Sequence, residues 1–214
     1  MRDKYHEALG ELTAELAGLA DCCERAIEAA ARVLLDGDER AADEAVRLEV
    51  ETDRLAGEVE QECLRLLMTQ QPVASDLRLI GAALKMSTDL ERIGDQCADI
   101  AVLRAPAVSA GTPTGAAIAA MASLSENMLR DAVAAYDLRD VELARSAIVQ
   151  DAAVDAHYAG AKAAIAAAIA AGGAGELLDL FLCVKYCERI GDHAQNVAEW
   201  VEYALTGLYR GREL

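Results

Sequence analysis

The chain has 214 residues, 54% hydrophobic but only 4% aromatic, with three prolines and a formal net charge of -17. That length allows one helical domain or two small ones with a core of ordinary size. A charge this acidic gains nothing from phosphate backbones or anionic lipid, so nucleic-acid binding and direct membrane insertion are excluded as expectations, while cations or a basic partner suit it.

Much of the apolar content is alanine, and alanine, leucine, glutamate and arginine are good helix formers, so an all-α chain is expected. The first helix is predicted over residues 3–35. Its Leu9, Leu12, Leu16, Leu19, Cys23, Ala26, Ala30 and Val33 recur at spacings of three and four, a stripe that faces a bundle. Asp36-Gly37-Asp38 ends it, with Gly37 in a left-handed cap and Asp38 capping the next helix. A second helix, 39–68, stops before Gln70-Gln71-Pro72, because proline pushes its predecessor out of helical geometry. Ser75 is the expected cap of a third helix that runs to Arg104.

Residues 104–115 hold Pro106, Ser109, Gly111, Thr112, Pro113 and Gly115, the one clear linker pattern in the chain. A fourth helix follows from Gly115 to Asp137. A fifth starts at Leu138-Arg139-Asp140 and ends at Gly172-Gly173-Ala174-Gly175, and a sixth reaches Leu208. Nothing at the N-terminus resembles an apolar signal core. The alanine-rich run 163–171 is far short of the ~18 residues of a membrane span. Both point to a cytoplasmic protein. The six cysteines form no metal-ligand spacing and are expected as small core residues in a reducing compartment.

One pentapeptide is written twice. Glu91-Arg92-Ile93-Gly94-Asp95 returns as Glu188-Arg189-Ile190-Gly191-Asp192, 97 positions later. A second pair, Glu49-x-x-x-Asp53 and Asp151-x-x-x-Asp155, matches at an offset of 102. Two independent matches indicate internal duplication. The expected architecture is therefore two tandem three-helix bundles, residues 1–105 and 115–214, joined by a linker at 106–114.

Residues four apart share a helix face, so Glu91, Asp95 and Asp99 form one row, and Glu188, Asp192 and Asn196 another. If each row faces the acids of the preceding helix, the first unit gathers Glu49, Asp53, Glu91, Asp95 and Asp99. The second gathers Asp151, Asp155, Glu188, Asp192 and the neutral oxygen donor Asn196. Aligned carboxylates repel, and a hard cation with oxygen ligands relieves the repulsion. Iron, zinc, manganese, magnesium and calcium all suit such donors. A single Glu-x-x-x-Asp is ordinarily a solvated face paired with arginines such as Arg92 and Arg189; two motifs in each of two repeats favour metal binding. Gly94 and Gly191 each cost about 1 kcal/mol against alanine in a helix, so something is expected to approach the backbone there, a neighbouring helix being the plain candidate.

Two three-helix units carrying this Glu-Arg-Ile-Gly-Asp context resemble the PhoU family of phosphate-signalling proteins over nearly the whole chain. The resemblance implies a regulator that binds metal clusters on its bundles, dimerises with a second copy, and represses the phosphate-starvation response. It implies as partners the ATPase subunit of the phosphate ABC transporter and a sensor histidine kinase. Asn196 stands where the first copy has Asp99, which implies a smaller or weaker second cluster. Catalysis is not expected: His6, His157 and His193 lack the Glu-x-x-His spacing of di-iron bundles, and no phosphate-cradling loop appears. The rival to the metal reading is a metal-free helical adaptor that presents its acidic faces to a basic partner.

Overall fold

A computed structural model describes residues 2–69, 72–172 and 175–213. It contains six long helices: α1 (Arg2–Asp36), α2 (Glu39–Thr69), α3 (Ala74–Leu103), α4 (Pro113–Leu138), α5 (Val141–Ala170) and α6 (Glu176–Thr206). Gln70, Gln71, Gly173 and Ala174, expected in turns, lie outside the described residues, as does the side chain of His6. Among the described residues no helix is long and apolar enough to cross a membrane.

The helix ends follow local chemistry. Gly37 is left-handed at φ 64, and the Asp38 carboxylate accepts from the Arg40 and Ala41 amides at 2.9 and 3.2 Å. Asp140 does the same for Glu142 and Leu143 at 3.0 and 3.1 Å. Each cap satisfies amide donors that would otherwise lack partners, worth about 1 kcal/mol. Ser75 is not a cap: α3 begins one residue earlier, with Val73 at the cap position and no side chain bonded to the helix end. The fourth helix starts at Pro113, two residues before its expected start, because proline is suited to a first turn and the Thr112 hydroxyl accepts from the Gly115 amide. The sixth ends at the left-handed Gly207. Beyond it, Leu208–Tyr209 and Arg212–Glu213 pair as a small antiparallel hairpin, where helix was expected to continue to Leu208.

Helices α1–α3 pack on one another, as do α4–α6. The two units then meet through α3 against α6 and α1 against α4, leaving α2 and α5 as the outer helices. Helices α3 and α6 run antiparallel: Arg78 near the start of α3 lies against Gly207 at the end of α6, whereas Asp89 meets His193, Asn196 and Trp200. The apolar stripe of α1 is buried throughout, and Leu90, Ile93, Cys97 and Ile100 of α3 join Ile190, Val197 and Val201 of α6 in a continuous core. Each fully buried Leu or Ile contributes about 1.5–3 kcal/mol. All six cysteines are free and buried in it, and burial pushes the Cys63, Cys183 and Cys187 thiols up to about 12, so they are inert packing groups.

Candidate functional site

The duplicated motifs meet because the two helices of each unit approach closely at one point. A Cβ built on Gly94 would stand 3.0 Å from Thr52 Cγ2, and one on Gly191 would stand 2.7 Å from Val154 Cγ1. Thr52 and Val154 are counterparts at the offset of 102, as the glycines are at 97. The repeated glycines therefore receive the neighbouring helix, and this close crossing brings the flanking acids of α2 and α3, or of α5 and α6, face to face. Thr52 is fully buried with its hydroxyl bonded to the Leu48 carbonyl at 2.7 Å, which leaves its methyl group towards Gly94.

In the first unit, Glu49, Asp53 and Asp95 each offer an oxygen atom within 4.8 Å of the others. Burial and the Asp53 and Asp95 carboxylates raise the Glu49 pKa above the ordinary range. Glu91 rises for the same reasons, with Arg92 opposing, so it borders the same acid field. Asp95 also forms an ion pair with Arg92 at 3.0 Å. Asp99 is exposed and is not part of the group of three. Oxygens bound to one hard cation at about 2.0–2.6 Å lie at most about 4–5 Å apart. The donor set of Glu49, Asp53 and Asp95 therefore fits such an ion.

In the second unit, Asp151, Asp155, Glu188 and Asp192 share one electrostatic field. Asp151 is 8% exposed; burial first, then Asp155, Asp192 and Glu188, push its pKa up to about 6. Asp192 is raised by burial and Glu188. Glu188, also 8% exposed, accepts from the Lys185 ammonium. Among the described residues these acids do not gather three ligand atoms as the first unit does.

Asn196 faces elsewhere. Its amide nitrogen donates to Asp89 Oδ1 at 3.0 Å, and its carbonyl oxygen accepts from Arg210 at 2.7 Å. Asp89 also meets His193 Nδ1 at 2.9 Å and accepts from the Trp200 indole at 3.2 Å. Three side chains of α6 thus converge on one carboxylate of α3. Over this node the hairpin folds back: Tyr209 stacks on Trp200 at 4.1 Å and Arg210 pairs with Glu199. The aromatics at the end of α6 are therefore packed between helix and hairpin, and His193 is a packing residue that crosses to the other unit. Asp89 was missed in the sequence because it stands outside both repeated motifs; its only signal was an acid on the face of α3 that otherwise turns inward.

A family model described as PhoU domain matches residues 16–103 and again 118–201. The chain is 29% identical over 208 residues to the phosphate-specific transport system accessory protein PhoU homolog of Pseudomonas aeruginosa, covering 95% of this chain and 86% of that protein. To the homolog of the same description in Caulobacter vibrioides it is 33% identical over 212 residues, covering 95% and 90%. The crystal structure of PhoU from Pseudomonas aeruginosa superposes with a TM-score of 0.86 at 27% identity, covering 95% of this chain and all 100% of that one.

Proposed function

The chain belongs to the PhoU family, and from that membership we propose that it is a non-catalytic regulator of phosphate uptake that represses the phosphate-starvation response when phosphate is plentiful. Its relatives of similar length are described as accessory proteins of the phosphate-specific transport system. The partners that fit this role are the ATPase subunit of the phosphate ABC transporter and a sensor histidine kinase, met in the cytoplasm by a homodimer of this chain. The net charge of -17 favours basic partner surfaces. We read the chain as units 1–105 and 115–214 joined by a linker at 106–114; the two matches to the same family domain, at 16–103 and 118–201, support this reading, with α4 taking up the last two residues of the linker.

The observation that carries the chemical part of the reading is the convergence of Glu49, Asp53 and Asp95. These three would hold a divalent or trivalent cation, iron, zinc, manganese or magnesium among them, with Glu91 beside it. A bound cation supplies positive charge that neutralises repelling carboxylates and ties α2 to α3. The side chains do the rest. Glu49 and Asp53 stand one turn apart on α2, and Asp95 faces them across the Gly94–Thr52 crossing, so the crossing orients the donors. The metal-free adaptor reading draws on the Arg92–Asp95 ion pair, which already answers one carboxylate without a metal.

The test replaces Asp53 and Asp95 with asparagine in the full-length protein, in cells from which the wild-type gene has been removed. Phosphate-scavenging genes should be derepressed in phosphate-rich medium on deletion, and the doubly substituted protein should fail to restore repression. Unchanged expression on deletion contradicts the regulatory role. Full repression by a D53N/D95N protein present at normal abundance favours the metal-free adaptor.

A further inference from the structure

The duplication places the same acids in both units but not the same neighbours. Three residues before the motif glutamate, on the same helix face, the second copy has Lys185; its counterpart in the first copy (185 − 97 = 88) is Thr88. The Lys185 ammonium bonds the Glu188 carboxylate and also stands over the Tyr158 ring of α5 at 5.2 Å from its centroid. A cation held between a carboxylate and an aromatic face is positioned on both sides. Its charge acts on Asp192 as well, where it opposes the rise that burial and Glu188 cause. The acids themselves differ in placement: Glu49, Asp53 and Asp95 bring their oxygens within 4.8 Å of one another, and among the described residues their counterparts Asp151, Asp155 and Asp192 do not. The repeat arginine does not supply this counter-charge to the motif glutamate: Arg92 is exposed and pairs with Asp95 at 3.0 Å at the rim of the first patch, whereas Lys185 pairs with Glu188 inside the second.

We propose that Lys185 is a built-in counter-ion that makes the two repeated acid patches unequal: the α2–α3 patch is open to a metal cation, and the α5–α6 patch is answered by the chain's own ammonium group. This rests on the metal-binding reading above and assigns it to one unit. A divalent ion entering the second patch meets a like charge beside Glu188 and Asp192, whereas in the first patch the uncharged Thr88 occupies that helix position and the only charge to displace is the exposed Arg92 guanidinium on Asp95. The lysine is thus a determinant of metal occupancy, a role that neither its helix nor its half-exposed position requires.

The experiment titrates chelator-stripped, full-length protein with manganese(II), reading stoichiometry and affinity by calorimetry and bound metal by mass spectrometry, with circular dichroism to verify folding. Wild-type protein should show tight binding that D53N/D95N abolishes and D155N/D192N leaves intact. Lys185→Thr, which installs the residue of the first copy, should create additional binding, lost again in K185T/D155N/D192N. Affinity at the second patch should rise by about tenfold or more, the order expected on removing one positive charge beside a divalent ion at a half-exposed site. Lys185→Arg, which keeps the charge, should behave as wild type. Wild-type binding that D155N/D192N reduces as much as D53N/D95N overturns this inference and leaves the metal reading standing, as does K185T protein with no added binding. Absence of binding in every variant overturns the metal reading and this inference together.

Discussion

Alanine at Gly191 tests the helix crossing on which the acid patches depend. In an open helix, glycine to alanine gains about 1 kcal/mol from reduced backbone entropy. Here the new methyl would stand 2.7 Å from Val154 Cγ1 and 3.3 Å from its Cβ. Val154 is fully buried and β-branched, with little rotamer freedom to withdraw. Overpacking of this kind costs about 1–3 kcal/mol, so G191A should come out about 0–2 kcal/mol less stable than wild type. In a V154A background the clash is gone, and the same substitution should instead stabilise by up to about 1 kcal/mol. The coupling between the two positions is therefore about 2 kcal/mol, well above the scatter expected of independent sites. Urea denaturation followed by circular dichroism measures all four corners of this cycle in chelator. Gly160 in α5, with nothing within 4 Å of a built Cβ, is the control, and G160A should stabilise. If G191A stabilises as much as G160A and shows no coupling to V154A, α5 and α6 do not approach as described, and the account of the glycine in the repeat is wrong.

Further outcomes follow from the node between the units and from the second acid patch. Asp89→Ala strands donors of His193, Asn196 and Trp200 at once, which should cost about 2–4 kcal/mol; because Trp200 is the single tryptophan, its emission should shift to the red before global unfolding, and unchanged emission and stability would remove the node from the account. Asp151 titrates near 3.8 when free and is pushed up to about 6 in the fold. A carboxyl raised on folding is neutral in both states below about pH 4, and its penalty develops as pH rises from about 4 to 6 and is complete above that. D151N should therefore stabilise metal-free protein at pH 7 by about 1–3 kcal/mol and make little difference at pH 4; a gain that is equal at both pH values argues against a raised carboxyl.

The helices and the duplication could be read from the chain because they rest on local chemistry repeated along it. Asp38 and Asp140 cap helices through bonds to amides two and three residues away, and such signals survive without knowledge of the fold. Facing of Glu49 and Asp53 with Asp95 was legible on the condition that α2 and α3 are neighbours, though the same pattern also gathered Asp99, which is not part of the group of three. Asn196 was not. Its four-residue spacing from Asp192 placed it in the row, yet each four-residue step turns about 40° past a full turn, so Asn196 stands about 80° round α6 from Glu188, and the neighbour there is α3, whose Asp89 takes its amide. Antiparallel packing of α3 on α6 joins residues more than 100 positions apart, which no local pattern records. The hairpin after Gly207 was hidden for a different reason: Leu208 and Tyr209 continue the apolar pattern of α6, and only the left-handed glycine turns the chain back over Trp200.

A cation at the α2–α3 crossing would be held by Glu49, Asp53 and Asp95. Crystals of full-length protein grown with manganese(II), with diffraction recorded on both sides of the manganese absorption edge, test it most directly. An anomalous peak should stand about 2.0–2.6 Å from carboxylate oxygens of all three residues. Ordered side chains there with no anomalous peak, at manganese concentrations that saturate the protein in solution, would contradict it.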